Sequence, residues 1–201
     1  MGTKERRQRE AARRREAILD AARKVFWQRG YQGATMPQIA RQAELAPGTL
    51  YLYFPGKDAL YVELLLEGYD RLIDRIAAAP AGRRGPKAQA AALIDAFFDF
   101  AREHPEYFHI IFFVLQREAW RSSFPAEQVE RLAAKEAASK QAAADLLDRI
   151  AFAPARRRAH VVDAVWGMLA GVVFHFRSRE TFDDVAAEAK ELLLAAVFGR
   201  G

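Results

Sequence analysis

The sequence predicts an all-α protein of about nine helices, and three observations predict it. Apolar residues recur at three- and four-residue spacing along most of the chain. Strand-like alternation is nearly absent. Gly and Pro fall where helices should stop and start. The helices divide into a short N-terminal three-helix domain over residues 1–56, preceded by a basic arm, and a larger helical domain over residues 57–201.

Taken in order, Ile18, Ala22, Val25 and Phe26 form one helical stripe, which Gly30 ends as a C-terminal cap. The arginines between Lys4 and Arg15 either extend this helix or remain a loose arm. Thr35-Met36-Pro37-Gln38 has the form of a capping box: the Thr35 hydroxyl accepts from the Gln38 amide while the Gln38 side chain reaches back. It opens a short helix whose inward residues are Met36, Ile39, Ala40 and Ala43. After a break at Glu44 to Ala46, Pro47 suits the first position of a second short helix, which turns Leu50 and Phe54 inward. Pro55-Gly56 restarts the chain into a long helix of roughly 57–79. Beyond a hinge at Ala77 to Gly82, five more helices are expected at roughly 86–103, 105–120, 125–151, 155–178 and 182–198, with Pro105, Pro125, Pro154 and the cap Thr181 marking starts.

Two short helices joined by three residues and braced by a longer one make a helix-turn-helix. Small Ala40 fits where the helices cross, and apolar Leu45 plugs the turn. The outer face of the second helix supplies Thr49, Tyr51 and Tyr53, whose hydroxyls suit phosphates and base edges. Charge agrees with this placement. The formal net charge is +5, yet residues 1–60 carry 12 Lys and Arg against 6 Asp and Glu. The remainder carries 19 basic against 20 acidic side chains, so the positive excess sits in the third that holds the motif, as contact with a polyanion requires.

Other functions find little support. Cysteine is absent, which removes disulfides and thiolate metal sites. His104, His109, His160 and His175 do not form a metal pattern, and no nucleophile triad, phosphate-binding Gly loop or dinucleotide fingerprint is present. Neither a metal nor a cofactor is expected, and no enzymatic activity. The N-terminus lacks an export signal, and the longest apolar stretch, Val161 to Phe176, is shorter than a bilayer span and carries Asp163. A cytoplasmic protein without membrane contact is the expectation.

The segment containing Ala34-Thr35, Ile39-Ala40 and the run Leu45-Ala46-Pro47-Gly48-Thr49-Leu50-Tyr51-Leu52-Tyr53-Phe54-Pro55-Gly56-Lys57-Asp58-Ala59-Leu60 resembles the signature of the TetR family of repressors. The likeness covers about residues 12–62; beyond it the chain agrees only in length and helical rhythm. The resemblance implies that Thr35 bonds a phosphate, that Pro47, Gly48 and Thr49 approach the major groove, and that Tyr51 faces bases or phosphate. It implies that Tyr53 and Lys57 hold the DNA backbone and that the long helix beginning at Lys57 couples the two domains. Three positions depart from the family pattern. Glu44 stands where Gly is usual, so the turn is either reshaped or strained. Ala46 replaces a capping Ser or Thr, and Gly56 a frequent Ser.

The C-terminal domain is rich in aromatics: Phe97, Phe98, Phe100, Tyr107, Phe108, Phe112, Phe113, Trp120, Phe152, Trp166, Phe174 and Phe176. Most belong to a helical core by default, and the resemblance implies a ligand cavity among them. Phe97, Tyr107, Phe108, Ile111, Trp166 and Ala170 are the candidate lining, with His109 as a polar contact, for a small apolar or amphipathic effector. The last two helices carry long apolar faces (Val161, Val165, Leu169, Val172, Phe176, then Val185, Ala189, Leu192, Leu193, Ala196), a surplus that suits self-association. The resemblance implies a two-fold homodimer through these helices, reading a palindromic operator in double-stranded DNA. The expected function is a DNA-binding transcriptional regulator, a repressor released by its effector. The alternative is a DNA-organising or scaffolding protein indifferent to small molecules.

Overall fold

Local chemistry punctuates the chain much as its residues predict. The computed structural model describes residues 3–115, 124–149 and 158–199. Nine helices and no strand occur among these residues: α1 (Thr3–Gly33), α2 (Met36–Gln42), α3 (Pro47–Tyr53), α4 (Lys57–Ala78), α5 (Pro86–Glu103), α6 (Pro105–Leu115), α7 (Ala126–Arg149), α8 (Arg158–Phe176) and α9 (Phe182–Phe198). The expected helical stretches 116–120, 150–151 and 155–157, the residues Trp120 and Phe152 and the side chain of Phe113 lie outside the described part.

The arginine-rich segment is helical from Thr3 onward, so it extends α1 rather than forming a loose arm. The stripe Ile18, Ala22, Val25 and Phe26 is buried, and Gly30 interrupts the helix at φ 64° and ψ 174°, a backbone state that glycine adopts without steric cost. Pro47, Pro86 and Pro105 each open a helix, where the missing N–H is one that no helical carbonyl would use. Thr181 departs from expectation. Its hydroxyl makes no capping bond to α9, because its φ and ψ of −80° and 6° are not the extended values from which a cap side chain reaches forward. Asp183 and Asp184 in the first turn meet the positive end of that helix instead.

The chain forms two compact units: Met1–Gly68 with His109–Leu132, and Tyr69–Phe108 with Ala133–Gly201. In the first, α1 packs on α2 and α2 on α3, around Ile18, Phe26, Ile39, Leu50, Leu60, Leu64 and Leu65, all fully buried. Phe26 stacks on Tyr31 within this core, and Tyr61 meets both rings edge-on, with centroids 5.0–6.0 Å apart. The buried Tyr61 hydroxyl donates to the Ile110 carbonyl at 3.3 Å, and burial pushes its phenol well above the usual range. Val62, Leu66 and Phe124 form a smaller cluster joined by Val129.

In the second unit α5, α8 and α9 pack on one another. Phe97, Phe100, Ala101 and Val173 are fully buried there, and Phe98 meets Phe182 edge-on at 6.1 Å. Charged pairs fasten the rim: Arg75 grips Glu103 with two hydrogen bonds of 2.6 and 2.8 Å, Arg102 reaches Asp183 at 2.8 Å, and Lys190 reaches Asp95 at 2.8 Å. No helix among the described residues is long and apolar enough to cross a membrane.

Candidate nucleic-acid interface

The capping box closes as the sequence requires. The Gln38 amide donates to Thr35 Oγ1 at 3.4 Å, and the Thr35 amide donates to Gln38 Oε1 at 3.0 Å. This fixes the start of α2 with Thr35 itself exposed at the surface. Buried Met36, Ile39 and Ala40 face the core, while Ala43 and the turn residue Leu45 are half-buried. The turn is held by Glu44 N–H donating to the Arg41 carbonyl at 3.1 Å and Leu45 N–H donating to the Ala40 carbonyl at 2.9 Å. Glu44 adopts φ 55°, and no other non-glycine residue among those described has positive φ. The turn is therefore not reshaped around the missing glycine; Glu44 accepts the left-handed conformation and its steric cost.

Helix α3 starts at Ala46, which has the extended backbone of a cap but no side-chain bond to the helix. Leu50 and Phe54 are buried and fix the inner face of α3. Pro47 and Gly48 are exposed, Thr49 and Tyr53 are half-buried, and Tyr51 is 52% exposed. Leu52 stands farther out than Tyr51, at 84% exposure. It was not among the sequence-predicted contacts, of which only Thr49, Tyr51 and Tyr53 were read from the polar outer face of the helix. The signal was present nonetheless: Leu52 is ~200° around the helix from Leu50, so it must face away from the core.

Lys57 holds an internal position. Its ammonium donates to the Tyr31 carbonyl at 2.8 Å and the Ala34 carbonyl at 3.1 Å, and lies 4.3 Å from the Tyr31 ring centre. Tyr31 in turn hydrogen-bonds Asp58 through its hydroxyl. Partial burial lowers the Lys57 pKa and raises that of Asp58. Two of the three ammonium donors thus tie the end of α1 to the start of α4, leaving one N–H for a further acceptor.

A second cluster lies beside the interface. Glu63 on α4 accepts from Arg15 on α1 at 2.5 Å and from Arg131 on α7 at 3.0 Å. Burial alone would raise its carboxyl, but the two guanidinium groups outweigh that and hold it below the usual glutamate range. The Arg15 guanidinium also lies over the Phe54 ring, 5.1 Å from its centre, next to the end of α3. Sequence reading did not pair these residues; nothing in the spacing of Arg15, Glu63 and Arg131 announces it.

Of the candidate effector contacts, Phe97, Phe108 and Trp166 come together: Phe108 and Trp166 meet Phe97 edge-on, with centroids at 5.8 and 5.4 Å. Tyr107 in the same unit is fully buried, with the Arg71 guanidinium 5.2 Å from its ring centre, and Ala170 is half-buried on α8. His109 and Ile111 belong to the other unit, where the His109 ring packs edge-on against Trp27 at 5.7 Å.

Residues 18–64 match the family model described as bacterial regulatory proteins, tetR family. Among curated relatives, the chain is 27% identical over 119 residues to the uncharacterized HTH-type transcriptional regulator YuxN of Bacillus subtilis, covering 59% of this chain and 38% of that protein. It is 33% identical over 99 residues to the HTH-type transcriptional activator FasR of Mycolicibacterium smegmatis, covering 49% and 45%. The matched part thus spans less than half the length of either relative. These relatives are named as transcriptional regulators, not as enzymes. Solved structures extend the likeness to the whole fold. A tetR-family regulatory protein from Rhodococcus RHA1 superposes with a TM-score of 0.75 at 20% identity, over 92% of this chain and 96% of that one. FadR from Bacillus subtilis, solved in complex with stearoyl-CoA, superposes with a TM-score of 0.70 at 20% identity, over 92% and 99%. Residues 18–64, which hold the helix-turn-helix, are thus similar to the tetR family of bacterial regulatory proteins, and the likeness to solved structures shows that the remaining helices share their fold.

Proposed function

We propose that the protein is a one-component transcriptional repressor: a homodimer that holds operator DNA through α2 and α3 and releases it when a small apolar or amphipathic molecule binds its C-terminal domain. The observation that carries this reading is the outer face of α3. Gly48, Tyr51 and Leu52 are exposed on a helix whose inner face is locked by Leu50 and Phe54, in the part of the chain that holds the positive charge excess. Thr35, Pro47, Gly48, Thr49, Tyr51, Tyr53 and Lys57 are the proposed DNA contacts, with residues 1–56 as the reading domain and 57–201 as the sensing and dimerising domain.

The arginine-rich start of α1 meets DNA as a helix. A helix with its side chains is about 10–12 Å across, too wide to enter a minor groove of ~6 Å. Arg6, Arg9 and Arg13, at helical spacing on its exposed surface, contact phosphates instead.

Dimerisation is assigned to α8 and α9. Met168 and Phe174 on α8 are 51% and 60% exposed, and Leu192 on α9 is 65% exposed. Gly167 and Gly171 on α8 have open space where a Cβ would stand, so a second copy can approach the helix backbone closely. Two-fold pairing of these faces buries the surplus apolar surface and gives two recognition helices to one near-palindromic site.

The effector is proposed to bind near the aromatic residues Phe97, Phe108 and Trp166, and to act by its greater affinity for a state whose recognition helices no longer match the spacing of successive major grooves. Among amphipathic molecules a long-chain acyl thioester is the first candidate, because a protein of the same fold holds stearoyl-CoA. The test is fluorescence anisotropy with DNA from immediately upstream of the protein's own gene. Site-selective binding that stearoyl-CoA or a shorter acyl thioester reverses supports the whole reading. Binding that survives every acyl thioester keeps the regulator and removes this effector class.

A further inference from the structure

We propose that Leu52 is a specificity-determining residue that reads a thymine by packing against its C5-methyl group in the major groove. This rests on the DNA-binding reading of α3 and goes beyond its polar contacts. The outer face of α3 is organised around Gly48 and Leu52. They lie ~160° and ~200° from the buried Leu50, one helical turn apart, so they form the line directly opposite the core. A Cβ at Gly48 would meet nothing within 4 Å, so this face presents bare backbone there and allows close approach. Leu52 on that line is 84% exposed, while Thr49 and Tyr53 on one flank are half-buried.

An isolated leucine on a surface is too small for a protein-docking patch, and its immediate neighbours on α3 are tyrosines that carry hydroxyls. In the major groove the chemistry changes. Thymine alone of the four bases offers an apolar group there, and discrimination by an aliphatic side chain comes from excluding water around that methyl. Losing one buried methyl costs ~0.8 kcal/mol, which is about fourfold in Kd.

The experiment is in vitro selection from a random duplex pool with the full chain, followed by replacement of each selected thymine by deoxyuridine, which removes only the methyl. The wild-type protein is expected to select one thymine per half-site whose replacement weakens binding about fourfold. Leu52→Ala should melt at the wild-type temperature, bind thymine and deoxyuridine DNA equally and keep the rest of the consensus; Leu52→Met should retain the discrimination. If the wild type shows no such position, or Leu52→Ala keeps it, or Leu52→Ala loses both DNAs in equal proportion, the assignment to Leu52 is wrong while DNA reading by α3 stands. If the wild type enriches no sequence at all, the DNA-binding reading fails and this one with it.

Discussion

Glu44 carries a cost that the rest of the turn absorbs. Its φ of 55° costs a side-chain-bearing residue about 1 kcal/mol or slightly more, and glycine at the same position offsets part of the gain by its freer unfolded chain. Glu44→Gly is therefore expected to stabilise the protein by ~0.5 kcal/mol in urea denaturation. Ala46 leaves the first amides of α3 without a side-chain partner, so Ala46→Ser should add ~1 kcal/mol. Lys57 behaves differently from Tyr51 because it serves the protein before it serves any ligand. Lys57→Met removes two hydrogen bonds to carbonyls and should cost ~1–3 kcal/mol of stability as well as DNA affinity. Tyr51→Ala should lower affinity alone, since the ring is half exposed. Equal melting temperatures for Lys57→Met and wild type would show that the bonds to Tyr31 and Ala34 carry no weight.

At the scale of helices, Glu63 staples α1, α4 and α7 within one unit. Its folded-state pKa is depressed, so its contribution is complete above the ordinary glutamate value of 4.5 and is lost as pH falls through the lower folded value. Glu63→Gln should cost ~1–2 kcal/mol near neutral pH, discounted because Arg15 and Arg131 are about half exposed. The melting temperatures of variant and wild type should then converge as the pH is taken below 4.5; a gap that stays constant with pH would exclude the charged staple as its cause. The extended start of α1 makes a separate prediction. Arg6, Arg9 and Arg13 changed together to Ala keep the helix, because alanine favours it. They should weaken binding to all sequences alike and reduce the salt slope by up to ~3 per protomer, ~5 for the dimer.

The same scale explains which elements were legible beforehand. Gly30, the Thr35–Gln38 box, Pro47 and the buried pair Leu50 and Phe54 could be read because each acts on residues within one or two helical turns of itself. Glu63 with its two arginines could not, since 48 and 68 residues separate the partners. The exposure of Leu52 was passed over for a chemical reason, polar side chains having been sought on the outer face of α3. Thr181 was overread, because a residue type that often caps was taken for a cap without the backbone conformation that capping needs. The aromatic residues of the second unit resist assignment because a packed core and a ligand cavity use the same side chains.

For the whole molecule, Met168, Phe174 and Leu192 are the exposed apolar residues that the proposed two-fold dimer covers. Met168→Glu with Leu192→Glu should convert a dimer to monomers in sedimentation equilibrium, and site-selective binding should fall with it because one recognition helix no longer reinforces the other. A variant that remains dimeric would place the interface elsewhere.

The central claim is that α3 reads operator DNA from a basic helix-turn-helix, and a salt titration of binding tests it most directly. Fluorescence anisotropy would follow wild type and Tyr51→Ala on DNA from upstream of the protein's own gene and on a scrambled duplex of equal length. The account predicts tight wild-type binding to the upstream DNA, affinity falling linearly on a logarithmic plot against salt, and a smaller preference between the two duplexes for Tyr51→Ala than for wild type. Wild-type binding that ignores sequence, or a Tyr51→Ala protein that discriminates as well as wild type, would contradict it.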